Sequence, residues 1–211
     1  MVMGREPTPY TITLVYKTVY ASHSSSEGGL SGIPLQLDVY LPDSRSSGTP
    51  AFEDNGVGFP AVVYFHGGGL LVGNRRSWFP DWLQSEFTLG SIDLASSSEQ
   101  GQLILLTGRL SAQGVAFLSA DYRLLSPTTG HDILEDIQDL FAYIRKDLNP
   151  ALSEVTGNSG SRVNVDAIAI AGTSAGGLCA YLCAIHLSPK PRALLSMYGQ
   201  AGECLVRISR A

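Results

Sequence analysis

Ala167-Ile168-Ala169-Ile170-Ala171-Gly172-Thr173-Ser174-Ala175-Gly176-Gly177 passes without a break from an apolar run into a turn of small residues. Five apolar residues with no polar alternation read as a strand buried on both faces. Beyond the turn, Leu178, Cys179, Leu182 and Ile185 are spaced for a buried helix over residues 175–187. Gly-x-Ser-x-Gly between a strand and a helix marks a serine held on a tight turn. A second run of the same kind, Pro60-Ala61-Val62-Val63-Tyr64-Phe65, ends in His66-Gly67-Gly68-Gly69. Such a glycine loop after a strand can offer backbone N–H groups to an oxyanion.

The remaining pattern is consistent with these two. Val115-Ala116-Phe117-Leu118-Ser119-Ala120 and residues 193–198 are further runs that read as buried strands. Ile133, Leu134, Ile137, Leu140, Phe141, Ile144 and Leu148 fall on one face of a helix between the runs at 115–120 and 167–171. Asp132, Glu135 and Asp136 lie in its first turns and Arg145 and Lys146 in its last, matching the helix dipole. Asn149-Pro150 is read as its end. Ahead of the run at 60–65, residues 10–20 are rich in Thr, Val, Ile and Tyr, and residues 33–41 alternate with a period of two. With a Ser- and Gly-rich loop over 22–32 between them, these two pair antiparallel at a sheet edge. The expected architecture is α/β, a mainly parallel sheet flanked by helices with an antiparallel N-terminal strand pair, in one domain.

Bulk properties narrow the function classes. A net charge of −5 gives no reason to expect nucleic acid or an anionic membrane as a partner. No apolar stretch approaches the roughly 20 residues of a membrane span. Residues 1–9 do not read as a secretory signal. The cysteines are three, and Cys179 and Cys183 lie four apart on a helix, a poor geometry for a mutual disulfide. They read as small core residues, which implies a cytoplasmic location.

A serine hydroxyl becomes a useful nucleophile when a base takes its proton and a tight turn presents it. Ser174 is the candidate nucleophile, and the helix that begins after it aims its positive end at developing negative charge. The N–H of Ala175 is one candidate oxyanion donor, and those of Gly67 and Gly68 are the others.

With these motifs in this order, the chain resembles the hormone-sensitive-lipase-like branch of the α/β-hydrolase superfamily, the carboxylesterases and lipases with a His-Gly-Gly-Gly loop. Asp121-Tyr122-Arg123-Leu124 resembles the family's Asp-Tyr-Arg motif after a central strand, and Leu134-Glu135-Asp136 the opening of its next helix. The resemblance implies hydrolysis of small carboxylic esters without metal or cofactor. It also implies that His66, Asp121 and Arg123 are scaffold rather than proton-transfer groups.

The family's order is Ser, acid, His. After Ser174 this sequence holds one histidine, His186, and one carboxylate, Glu203. Twelve residues of helix separate His186 from the serine by about 18 Å. His131 opens a helix and His23 falls in the loop between the first two strands. The expectation is therefore a C-terminally truncated hydrolase domain whose triad acid and histidine are absent, and which is impaired as an enzyme. An uncovered sheet edge would also invite self-association. The alternative is a non-catalytic small-molecule-binding pseudo-hydrolase, as in the plant gibberellin receptors, which resemble the same family.

Residues 85–108 lack periodicity and carry Ser96-Ser97-Ser98 at their centre. Without them Trp78-Phe79-Pro80-Asp81-Trp82-Leu83 would run into Arg109-Leu110-Ser111. The segment reads either as an insertion foreign to the domain or as a lid over the pocket. Trp78, Phe79 and Trp82 read either as an apolar pocket wall or as anchors to the core.

Overall fold

The computed structural model describes residues 11–19, 32–42, 57–77, 114–157 and 162–199. The 85–108 segment, Trp78, Phe79, Trp82, His23 and Glu203 lie outside the described residues.

Among the described residues six strands make one sheet: β1 (Thr11–Val19), β2 (Ile33–Tyr40), β3 (Phe59–Phe65), β4 (Ala116–Ala120), β5 (Val163–Thr173) and β6 (Ala193–Met197). Their spatial order is β1-β2-β4-β3-β5-β6. β1 pairs antiparallel with β2, and β2 antiparallel with β4. β3 lies between β4 and β5 and runs parallel to both, and β6 adds in parallel to β5. The mixed, mostly parallel sheet expected from the apolar runs is present. All five residues of β4 are buried, and Val63, Tyr64 and Phe65 of β3 are too. A strand with helices on one face and further packing on the other has no face left for polar residues.

β6 departs from the expectation of a fully buried strand. Ala193 and Leu195 are exposed, because β6 is the last strand of the sheet among the described residues.

The helices are α1 (Gly130–Lys146), α2 (Leu148–Val155) and α3 (Ala175–His186). Thr129 caps α1 in a box with Asp132: the Thr129 hydroxyl accepts from the Asp132 amide, and the Asp132 carboxylate accepts from the Thr129 amide at 2.7 Å. Ile133, Ile137, Leu140, Phe141 and Ile144 of α1 are buried and join the main core with Val63, Leu118, Ile170 and Leu182. Tyr40, Tyr64, Phe117 and Ala171 form a smaller cluster on alternate strand positions.

Asn149-Pro150 does not end the helical path. α1 stops at Lys146, and α2 starts two residues later with Pro150 in its first turn. That is the part of a helix where a missing N–H removes no intrahelical bond.

Candidate active site

Register brings the two glycine motifs together. In the parallel β3–β5 pair, Phe65 stands opposite Gly172. The chain leaving β3 at His66 and the chain leaving β5 at Ser174 therefore emerge side by side, at the C-terminal edge where parallel sheets place their ligand sites. An ideal Cβ on Gly67 would sit 3.4 Å from the Ser174 Cβ. The loop that follows β3 thus lies in van der Waals reach of the serine.

Ser174 is the N-cap of α3, with φ 50° and ψ −116°. A non-glycine residue in that region is held there by its surroundings at a cost of about 1–3 kcal/mol. Its N–H donates to the Met197 carbonyl at 3.0 Å, and its own carbonyl accepts from the Gly177 amide at 3.0 Å. Its neighbours must be small. A Cβ on Gly172 would lie 2.1 Å from the Gly176 carbonyl oxygen, and one on Gly176 would lie 2.0 Å from that of Phe65. Those contacts close the turn and seat the first turn of α3 against the end of β3. Ala175 is fully buried at the N-terminus of α3, where backbone amides point outward along the axis. Gly68 turns the preceding loop at φ 101°, and the amides of Leu71 and Val72 donate back to its carbonyl at 3.1 and 3.2 Å.

Beneath the serine turn, the hydroxyls of Tyr64 and Thr173 share a hydrogen bond of 2.8 Å, both side chains being buried. Burial pushes the Tyr64 phenol well above its ordinary value, so it stays protonated.

His66 is 1% exposed. Its ring stacks on Tyr122 with centroids 4.5 Å apart, and Nδ1 lies 2.7 Å from the Gly67 carbonyl oxygen. A carbonyl only accepts, so Nδ1 carries the proton and donates. The Tyr122 hydroxyl donates to the His66 carbonyl at 2.8 Å. Burial holds the imidazole below its ordinary pKa, against the opposing pull of the Gly67 carbonyl and the Asp121 charge. These contacts brace the loop from below.

Asp121 pairs with Arg75, whose Nη1 donates to Oδ2 at 2.9 Å and whose amide donates to Oδ1 at 2.8 Å. Arg75 Nε and Arg76 Nε also donate to the buried Asp38 at 2.8 and 2.7 Å. The segment after the glycine loop is thereby pinned to β2. Arg123 donates from Nε to both oxygens of the buried Asp136 on α1, at 2.9 and 2.8 Å. Asp121 and Arg123 thus hold elements together. Arg75 and Asp38, which complete the network, carried no signal in the sequence beyond their charge.

His186 is the last residue of α3 and is exposed, a helix length away from the serine at its other end. His131 is exposed in the first turn of α1. Neither is brought to Ser174. Among the described residues, no three or more His, Cys, Asp or Glu gather as a metal site. No helix among them is long and apolar enough to cross a membrane.

No family model matches the chain. A probable carboxylesterase, M8, from Phoma sp. is 28% identical over 142 residues, covering 66% of this chain and 37% of that protein. Esterase 2 of Thermogutta terrifontis with bound butyrate superposes with a TM-score of 0.52 at 18% identity, over 92% of this chain and 54% of the esterase. The same enzyme phosphoramylated by tabun gives 0.52 at 20%, over 96% and 62%. The chain thus spans less than two thirds of the length of each. With the two glycine motifs side by side at the C-terminal edge of a mostly parallel sheet, these likenesses establish that the chain has the α/β-hydrolase fold.

Proposed function

We propose that this chain carries the nucleophile and the oxyanion loop of a serine carboxylesterase acting on small carboxylic esters. The observation that carries the reading is the placement of Ser174, on a strained turn with the Gly67 loop in contact with it. In this reading Ser174 Oγ attacks the ester carbonyl. The N–H groups of Gly67, Gly68 and Ala175 hold the oxyanion, the alcohol leaves, and water releases the acid. Its support is the geometry above, the curated relative described as a probable carboxylesterase, and the butyrate-bound and tabun-modified esterase of the same fold. The buried free thiols of Cys179 and Cys183, the former pushed up to about 12 by burial, favour a reducing compartment such as the cytoplasm.

The reading includes impairment. With no histidine beside Ser174 among the described residues, slow ester hydrolysis is expected, at most the roughly 10³–10⁴-fold that oxyanion stabilisation and binding give without a triad. The test is p-nitrophenyl butyrate hydrolysis and organophosphate incorporation, the latter read by intact mass, for the wild type beside Ser174→Ala. Slow turnover and a single adduct, both lost in the variant, are expected. Equal behaviour of the two folded proteins sinks the catalytic reading and brings forward the pseudo-hydrolase that only binds.

A further inference from the structure

A concavity lies at the opposite end of the sheet from Ser174. It encloses about 470 Å³ where the C-terminal turns of α1 and α3 meet the early residues of β5 and the lead into β6. Ile168, on its wall, is six residues before Ser174, roughly 20 Å along an extended strand. The volume is in the range of small-ligand sites.

The floor is apolar. Phe141, Ile168 and Leu187 line it, each almost wholly buried, and Val165, Pro189 and Pro191 add apolar surface around them. The rim is cationic: Arg145, Lys190 and Arg192 surround that floor, with Asp166 the one carboxylate among the lining residues.

Each cation is held by a neutral acceptor. Arg145 Nη2 donates to the Pro189 carbonyl at 3.0 Å, Lys190 Nζ to that of Ile185 at 2.6 Å, and Arg192 Nε to that of Asp166 at 2.8 Å. A carbonyl orients the side chain without cancelling its charge. A guanidinium has five N–H donors and an ammonium three, so each keeps donors for a ligand. The helix C-termini contribute about half a negative charge each, and Asp166 one more. Three cations exceed that sum by about one charge.

We propose that this groove binds a small amphipathic carboxylate, its hydrocarbon against Phe141, Ile168 and Leu187 and its carboxylate among Arg145, Lys190 and Arg192. An apolar floor within reach of oriented, unneutralised cations fits that class. A neutral lipid leaves the cations unused, and an inorganic anion leaves the floor wet. The site is independent of chemistry at Ser174.

Titration of the ¹⁵N-labelled 211-residue protein with octanoate, beside octanamide, tests it. Saturable shifts are expected at the amides of Val165, Ile168, Leu187 and Arg192, with octanamide at least about ten-fold weaker because the charge-assisted bonds are gone. Lys190→Gln and Arg192→Gln, both at exposed positions, should each weaken octanoate roughly three-fold, and Asp166→Asn should tighten it about two-fold. Four results overturn the proposal: shifts centred on residues 172–176, equal binding of acid and amide, unchanged binding in both Gln variants, or no saturation by about 10 mM, the weak end of specific affinity. Concentration-dependent shifts of the same amides without octanoate would also overturn it, by giving the groove to a second copy of the chain.

Discussion

Gly176 and Phe65 approach so closely that a methyl group on Gly176 would stand 2.0 Å from the Phe65 carbonyl oxygen. The contact joins helix to strand, backbone against backbone, so no side chain can swing away to relieve it. Gly176→Ala is therefore expected to cost more than about 3 kcal/mol, beyond the usual range for overpacking. Gly69 is the control. It has φ +66° and nothing within 4 Å of a Cβ, so Gly69→Ala meets only the left-handed penalty of roughly 1–2 kcal/mol. Urea denaturation of both variants checks the ranking, and similar losses would mean the α3–β3 contact is softer than its geometry.

Ser174 makes the opposite prediction. At φ 50° and ψ −116° the serine is strained, and glycine would relieve about 1–3 kcal/mol while adding up to about 1 kcal/mol of unfolded-state entropy. Ser174→Gly should be more stable than Ser174→Ala by about 1 kcal/mol, because alanine keeps the Cβ and its strain. Both should lose organophosphate incorporation. If the glycine variant is no more stable than the alanine variant, the turn is not a reservoir of strain.

The strands that carry the candidate site could be read from their residues because β3, β4 and the second half of β5, from Ala167 on, are almost wholly apolar. The start of β5, with Asn164 and the exposed Asp166, carries no such run. The serine turn was legible because its glycines flank a serine directly after an apolar run, and Gly172 and Gly176 are where backbones touch. Other parts were hidden for physical reasons. Proline disrupts a helix interior but not a first turn, so Pro150 read as a stop where α2 begins. β6 carries as apolar a run as its neighbours, and only its place in the strand order leaves Leu195 exposed. The Met197 carbonyl that accepts from Ser174, and the Arg75–Asp38 pair, join residues far apart in sequence through groups with no compositional trace.

Two buried groups set the acid side of the stability profile. Burial depresses the His66 pKa, so its neutral form is favoured in the folded state. Its contribution is complete above the unfolded value of about 6.5 and is lost as pH falls toward the folded value. Burial alone would raise the Asp38 carboxyl, but hydrogen bonds from Arg76, Arg75 and Thr13 override it and hold the group below its ordinary value. That contribution is complete above the unfolded value of about 4 and lost below it. Stability should therefore be flat between about pH 7 and 8, begin to fall below about 6.5, and fall more steeply below about 4. His66→Phe should remove the first decline. Asp38→Asn should cost about 3 kcal/mol at pH 7 and flatten the second. It will not abolish that decline, because Asp132 and Glu135, depressed by hydrogen bonds from Thr129 and Arg123, titrate in the same window. Urea midpoints between pH 3.5 and 8 read both steps, and an unchanged His66→Phe profile would assign the first decline elsewhere.

Arg123 tests how the scaffold holds α1 to the sheet. Its Nε meets both Asp136 oxygens, its Nη2 donates to the Asp132 carbonyl and to Glu135, and its amide donates to Asp136. Lys17 from β1 also pairs with Asp136, at 2.9 Å. A lysine at position 123 has one charged centre and cannot span these acceptors, so Arg123→Lys should cost about 2 kcal/mol despite keeping the charge. Arg123→Met should cost about 3–5 kcal/mol, because the fully buried Asp136 is left with Lys17 as its remaining ion-pair partner. Adding Asp136→Leu to Arg123→Met removes the stranded carboxylate and should recover most of that loss, since apolar replacements for buried ion pairs are often neutral. A double-mutant cycle by denaturation measures the coupling. Losses that simply add would show that Arg123 contributes through its packing and not through Asp136.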